Sequence, residues 1–211
     1  MRVTHFGHAC VLVETDRARI LFDPGMFSSG FDELADVSAV LVTHQHPDHI
    51  DEEKVATLLR NSPDASLIVD PGTAVACCRF TDRYQVVQRG ETLQLAGSKL
   101  AAIGGEHAVI HSDVPSIPNI GFVLDDGAFY HPGDALVVPE QDIDVLGMPI
   151  AAPWLKAAEV VDFERKVMPR IAIPIHEAVL AEPRLQWPLY QSLGPVGTTF
   201  TALEHAVVTD I

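Results

Sequence analysis

Cysteine is scarce in this chain, with only Cys10, Cys77 and Cys78. The count is odd and two of the three are adjacent, so no disulfide framework is implied. Without a Cys-x-x-Cys pair, a thiolate zinc site is also disfavoured. Basic side chains are few as well: 14 lysines and arginines stand against 29 aspartates and glutamates, a net charge of -15. Such a surface repels polyanions, so nucleic acid and anionic membrane are disfavoured as partners. No apolar run reaches the roughly 18 residues of a membrane span. The opening MRVTHFGHACVLVE has histidines inside it and lacks the long apolar run and small-residue cleavage site of a secretory signal. The expectation is a cytoplasmic protein that acts on a small molecule; its oligomeric state is left open.

The chain has 211 residues, 47% of them apolar. That is enough for one domain over residues 1–211 and short for two. Cys10–Thr15 and Arg19–Phe22 read as a hairpin, and the β-branched run Val37–Thr43 reads as a strand buried on both faces. Asp51 is placed to N-cap a helix over Glu52–Asn61, whose first turn carries Glu52 and Glu53. Strands are predicted at Leu67–Val69, Tyr84–Gln88, Thr92–Leu95 and Leu100–Gly104, with a short helix at Thr73–Arg79. In the second half, Gly121–Leu124 and Ala128–Tyr130 flank Asp125-Asp126-Gly127, a type I′ signal. Ile143–Gly147 and Arg170–Ile175 read as strands, Lys156–Val167 as a helix, and Thr198–Leu203 as a last strand. Strands and helices alternate in each half, which suggests two similar αβ halves packed as layers.

The chemistry concentrates at strand ends. THQHPDHID (residues 43–51) follows the Val37–Thr43 strand. His44 and His46 are two apart and face the same way if the chain stays extended. Two imidazoles on one face suit a metal ion such as zinc, and Asp48 and His49 in the following turn can serve a second. Further ligand types lie just after other predicted strands: His107 and His111 in GGEHAVIH, Asp134 in YHPGDA, and His176 in IPIHE. Asp23 and Asp51 are candidates to orient ligating histidines. Trp154, in APWLK, is a candidate to line the pocket, although an aromatic before a helix is more often core.

THQHPDHID resembles the His-x-His-x-Asp-His motif of the metallo-β-lactamase superfamily. GHACVLVE, LFDPG, THQHPDHID, YHPGDA and PIHE together, in order from His8 to His176, resemble its branch of metal-dependent hydrolases that includes L-ascorbate-6-phosphate lactonase. The resemblance implies an α+β fold, a four-layer αββα sandwich with two metal ions between the sheets. It implies His44, His46 and a third histidine on the first ion. Asp48, His49 and His176 would hold the second, and Asp134 would bridge both. The pattern needs one third histidine where this chain offers two. His107 is preferred as nearer the strand end, and His111 would then line the pocket. His8 and His131 belong to the resembling motifs and are expected nearby as orienting or proton-handling groups.

Asp48 and Asp134 are thus the expected catalytic carboxylates. Two dications against two carboxylates and one bridging hydroxide leave about one positive charge. That favours hydrolysis of an ester, lactone, amide or phosphoester in a small, anionic molecule. Zinc is the first expectation, and manganese, iron or nickel suit the same donors. The alternative is a mononuclear iron redox enzyme on the same fold, resembling persulfide dioxygenases.

Overall fold

The computed structural model describes all residues, Met1–Ile211. Its elements run β1 (Arg2–His5), β2 (Val11–Glu14), β3 (Arg19–Phe22), β4 (Ala39–Val42), α1 (Glu52–Asn61), β5 (Ser66–Val69), α2 (Pro71–Ala76) and β6 (Tyr84–Val86). They continue with β7 (Thr92–Leu95), β8 (Ser98–Gly104), β9 (Ile120–Leu124), β10 (Phe129–His131), β11 (Val145–Pro149), α3 (Ala157–Val167), β12 (Ile171–Ile175), α4 (Trp187–Leu193), β13 (Thr199–Phe200) and β14 (Thr209–Asp210). Two seven-stranded sheets form, in the orders β14-β1-β2-β3-β4-β5-β6 and β13-β12-β11-β10-β9-β8-β7.

The layering follows from side-chain alternation. In β3 and β4, Ile20, Phe22, Ala39 and Leu41 face the other sheet. Their neighbours Leu21, Val40 and Val42 face outward onto Val55 and Leu58 of α1. In β12, Ile171, Ile173 and Ile175 point to the same inter-sheet core, while Ala172 packs with Val160, Val161 and Phe163 of α3 and Tyr190 of α4. Each sheet is therefore covered by helices on one face and by its partner sheet on the other. This is the expected αββα sandwich, and it explains why β4, β11 and β12 read as unbroken apolar runs. Strands β3 to β6 run parallel, as do β10 to β13. Their carboxyl ends collect loops at one rim of the sandwich, where open sheets present ligand sites.

Local chemistry sets several element ends. Asp51 accepts Lys54 N at 3.1 Å and caps α1. Asp70 caps α2 by accepting Gly72 N at 2.7 Å, so that helix begins at Pro71 rather than Thr73 and stops at Ala76. The Asp125-Asp126-Gly127 turn differs from the type I′ reading. Leu124 pairs with Phe129, so four residues form the loop. Asp125, Asp126 and Gly127 all have positive φ (45°, 56° and 116°). The Asp125 carboxylate compensates by accepting Lys99 N and Ser98 Oγ at 2.8 and 3.0 Å. The last predicted strand shrinks to Thr199–Phe200, and β1 and β14 add an edge that the sequence reading lacked.

Candidate metal centre

Asp23 is the hub that shapes the site. It leaves the end of β3 with a left-handed φ of 43° and is wholly buried. Its Oδ1 accepts Thr43 N at 2.7 Å, and its Oδ2 accepts Thr43 Oγ1 at 2.8 Å and His49 Nδ1 at 2.7 Å. One carboxylate thus fixes both the end of β4 and the ring of a candidate ligand. Gly25 lies so close to the following turn that a Cβ would stand 1.8 Å from Asp48 O. Only glycine lets the Asp23-Pro24-Gly25 loop pass there. Asp134 is set by a similar device. Asn119 accepts Asp134 N at 2.9 Å and donates to Pro132 O at 3.0 Å. Gly133, at φ 61°, leaves no room for a Cβ beside Asn119 and Thr43.

Two groups of ligand-type atoms result. His44, His46, His107 and Asp134 form one, and His8, Asp48, His49 and His176 the other; within each, the atoms lie within 4.8 Å of one another. Asp134 lies between them. Its Oδ1 is 3.1 Å from His49 Nε2 and 3.0 Å from His176 Nε2, while its Oδ2 is 3.3 Å from His107 Nε2.

The outer ring nitrogens show that these residues fit a cation. His176 Nδ1 donates to Ala151 O at 2.7 Å, and His107 Nδ1 donates to Ala108 O at 2.6 Å. His49 Nδ1 donates to Asp23. Thr43 Oγ1 spends its proton on Asp23, so the 3.0 Å contact with His44 Nδ1 is a donation from the ring. Each of these four imidazoles, when neutral, therefore turns a bare Nε2 lone pair inward. His49 Nε2 and His176 Nε2 stand 3.1 Å apart, and His44 Nε2 and His46 Nδ1 3.0 Å apart. Buried His107 Nε2 and Asp134 Oδ1 have no hydrogen-bond partner. Facing lone pairs and a carboxylate repel unless positive charge sits among them.

The proton equilibria agree. Burial holds His44 well below its ordinary value of 6.5 and lowers His46 as well. Burial also opposes charge on His49, but Asp134 and Asp23 outweigh it and raise that ring well above 6.5. Around Asp134, burial is outweighed by His49, His107 and His176, which hold its carboxyl well below 3.8. Asp48 is likewise opposed by burial, yet the hydrogen bond from His8 and the nearby His49 hold it at about 2. The two ionised carboxylates thus favour positive charge among the rings, which a metal ion held there would supply.

The remaining sequence candidates separate. His8 donates Nε2–H to Asp48 Oδ2 at 3.1 Å, and its backbone is held by Glu177 at 2.8 Å. His131 spends both ring nitrogens on backbone, Nε2 on Ala9 O at 2.9 Å and Nδ1 on Gly133 N at 3.2 Å, so it positions the Asp134 loop. His111 does not line the pocket: its side chain is 64% exposed, and it accepts Asp113 N at 3.1 Å. Asp51 is spent on the α1 cap and Lys54 and makes no hydrogen bond to any of the candidate rings. Trp154, which sequence context favours as core, stands at the site instead. Half-buried rather than core, it donates Nε1–H to Asp134 Oδ2 at 2.8 Å and meets the His107 ring edge-on at 6.0 Å. Beside His46 and His107 lies a small cleft of about 40 Å³, open to solvent along the 108–117 loop.

The chain matches the beta-lactamase superfamily domain over residues 2–176. It is 46% identical to protein Rv0786c of Mycobacterium tuberculosis, over 99% of this chain and 100% of that protein. It is 27% identical to the UPF0173 metal-dependent hydrolase of Methanopyrus kandleri, over 83% of this chain and 84% of that one. Among solved structures, Igni18, a metallo hydrolase from Ignicoccus hospitalis, shares the fold with a TM-score of 0.77 at 18% identity, over 100% of this chain and 98% of that one.

Proposed function

We propose a function from a fixed premise: the chain belongs to the metallo-β-lactamase superfamily. Within it, the chain is a metal-dependent hydrolase, and the reading here is of a dinuclear one. The first ion would be held by His44, His46 and His107, the second by Asp48, His49 and His176, and Asp134 would serve both. The observation that carries this is the outward commitment of the ring nitrogens of His44, His49, His107 and His176, which leaves the Nε2 atoms of His49, His107 and His176 facing the two oxygens of Asp134 and that of His44 facing His46 Nδ1.

Two dications held there would supply Lewis acidity and would make water a better nucleophile at neutral pH. The chain's own residues do the rest. Asp134 and Asp48 stay ionised and provide the negative charge that holds the cations. His8 keeps Asp48 oriented through Nε2, and Trp154 keeps Asp134 oriented through Nε1. Asp23 holds His49 with its proton on Nδ1. The side chains of His49 and Asp134 are at most 4% exposed, while Asp48 is 22% exposed and His46 is half-buried beside the cavity, so substrate approaches over His46 and Asp48 to a largely dry centre. Such a centre suits hydrolysis of an ester, lactone, amide or phosphoester in a small molecule whose reacting group becomes anionic. The likeness to the lactonase branch lies in the same motifs and makes a lactone one of the substrates to try. No helix is long and apolar enough to cross a membrane.

The test is a panel of lactones, acyl esters and phosphodiesters offered to zinc- and manganese-loaded protein. Turnover that chelator abolishes and metal restores supports the reading. Metal-loaded protein that hydrolyses none of the panel, or one bound iron with oxygen uptake on a persulfide, overturns it.

A further inference from the structure

The loop from Glu106 to Asn119 carries three large apolar residues into solvent. Val109 is 76% exposed, Ile110 39% and Val114 48%. Exposed apolar residues scattered singly need no explanation, but these share one cavity with His46 and His107. Pro115, Ser116 and Ile117 complete the same wall, and no lysine, arginine, aspartate or glutamate lines it. The loop is held at its base. His107 N donates to Ile117 O at 3.0 Å, Gly105 N to Asn119 O at 2.9 Å, and Ala108 N to Asp134 O at 2.8 Å. The apolar wall is thereby tied to the backbone of Asp134 and stands preformed beside the ligand cluster. The other ligand group is also approached across apolar surface, because Met26 and Phe27 are half exposed and the Phe27 ring lies 5.2 Å from His8.

A cavity with no cationic side chain does not recognise a substrate's charge. Within it the polar side chains are His46, His107 and the hydroxyl of Ser116, none of them a fixed charge, and the rest of the wall offers burial to hydrocarbon. We propose that the substrate carries an apolar acyl arm, which lies against Val109, Ile110, Val114 and Ile117 while its carbonyl end reaches the metal ligands. This rests on the hydrolase reading and adds the substrate class to it: an apolar acyl ester, lactone or amide rather than a sugar phosphate or another compact polyanion.

Two series on the zinc-loaded protein test it. In the first, acetate, butyrate, hexanoate and octanoate are titrated as product-like ligands, with binding read from tryptophan fluorescence, since Trp154 adjoins His107. In the second, p-nitrophenyl esters of the same acids are hydrolysed. Affinity and kcat/KM should each rise roughly 2- to 4-fold per methylene. The double variant Val109→Asp/Val114→Asp, altered only at exposed positions, should flatten both slopes. Flat series in the wild type, or a slope that the double variant leaves intact, overturn the proposal. Ester turnover with no dependence on chain length would keep the hydrolase reading and remove the apolar arm. A binding slope with no turnover would keep the arm and remove the hydrolase reading.

Discussion

Trp154 Nε1–H donates to Asp134 Oδ2 at 2.8 Å, while Asp134 Oδ1 faces His49 and His176 at 3.1 and 3.0 Å. The indole holds one oxygen of the central carboxylate and so sets where the other points. Trp154→Phe keeps the ring and deletes the donor. A charge-assisted hydrogen bond contributes about 1.5–3 kcal/mol, so zinc affinity should fall by roughly one to two orders of magnitude. Metal titration by calorimetry reads this directly, and the metal-free melting temperature should stay near that of the wild type.

Asp23→Asn addresses the hub of the site. The amide cannot accept from Thr43 N, Thr43 Oγ1 and His49 Nδ1 together, so the His49 ring loses the partner that fixes its tautomer. Loss of such an outer partner costs about 10–100-fold in metal affinity. Competition with a chromophoric chelator measures it, and an unchanged affinity would contradict the assigned role.

The two histidines of GGEHAVIH should behave differently. His107→Ala removes a buried ring nitrogen facing Asp134 and should release most of one equivalent of metal. His111→Ala touches an exposed side chain and should leave metal content at the wild-type level. Elemental analysis of the two purified variants decides between them.

Glu164 of α3 is buried, with no partner for Oε2, and burial lifts its carboxyl to about 7 from 4.5. A raised acid pKa means the folded state holds the proton more tightly. Its contribution to stability is therefore complete below about pH 4.5 and is lost as pH rises through about 7. Glu164→Gln removes that loss and should gain on the order of 2 kcal/mol at roughly pH 8, with little change near pH 4. Denaturant melts at the two pH values check the difference.

Much of this was legible because ligands and caps are local. The α1 boundaries Glu52–Asn61 follow from Asp51 and the acidic first turn, and the strand before THQHPDHID shows in its β-branched run. The Asp134 and His176 loops announce themselves by following apolar strands. Trp154 could not be found in the same way. Its partner lies twenty residues away in another loop, and a tryptophan before a helix is more often core. His111 has the residue type and a near-correct spacing, but the loop that buries His107 turns it to solvent. The Asp125-Asp126-Gly127 turn shows its position in its composition, but its four-residue length depends on Ser98 and Lys99 of β8. Residues 2–5 hold only Val3 and Thr4 as strand formers, too short a run to stand out, and they pair with β2 and β14 on either side.

The central claim is a two-ion centre divided by Asp134. Calorimetric titration of metal-free wild-type protein with zinc, at neutral pH and checked by elemental analysis, tests it most directly. Two equivalents should bind, with His46→Ala and His176→Ala each reduced to one. A wild-type stoichiometry of one or none, or two equivalents retained in either variant, would contradict the account.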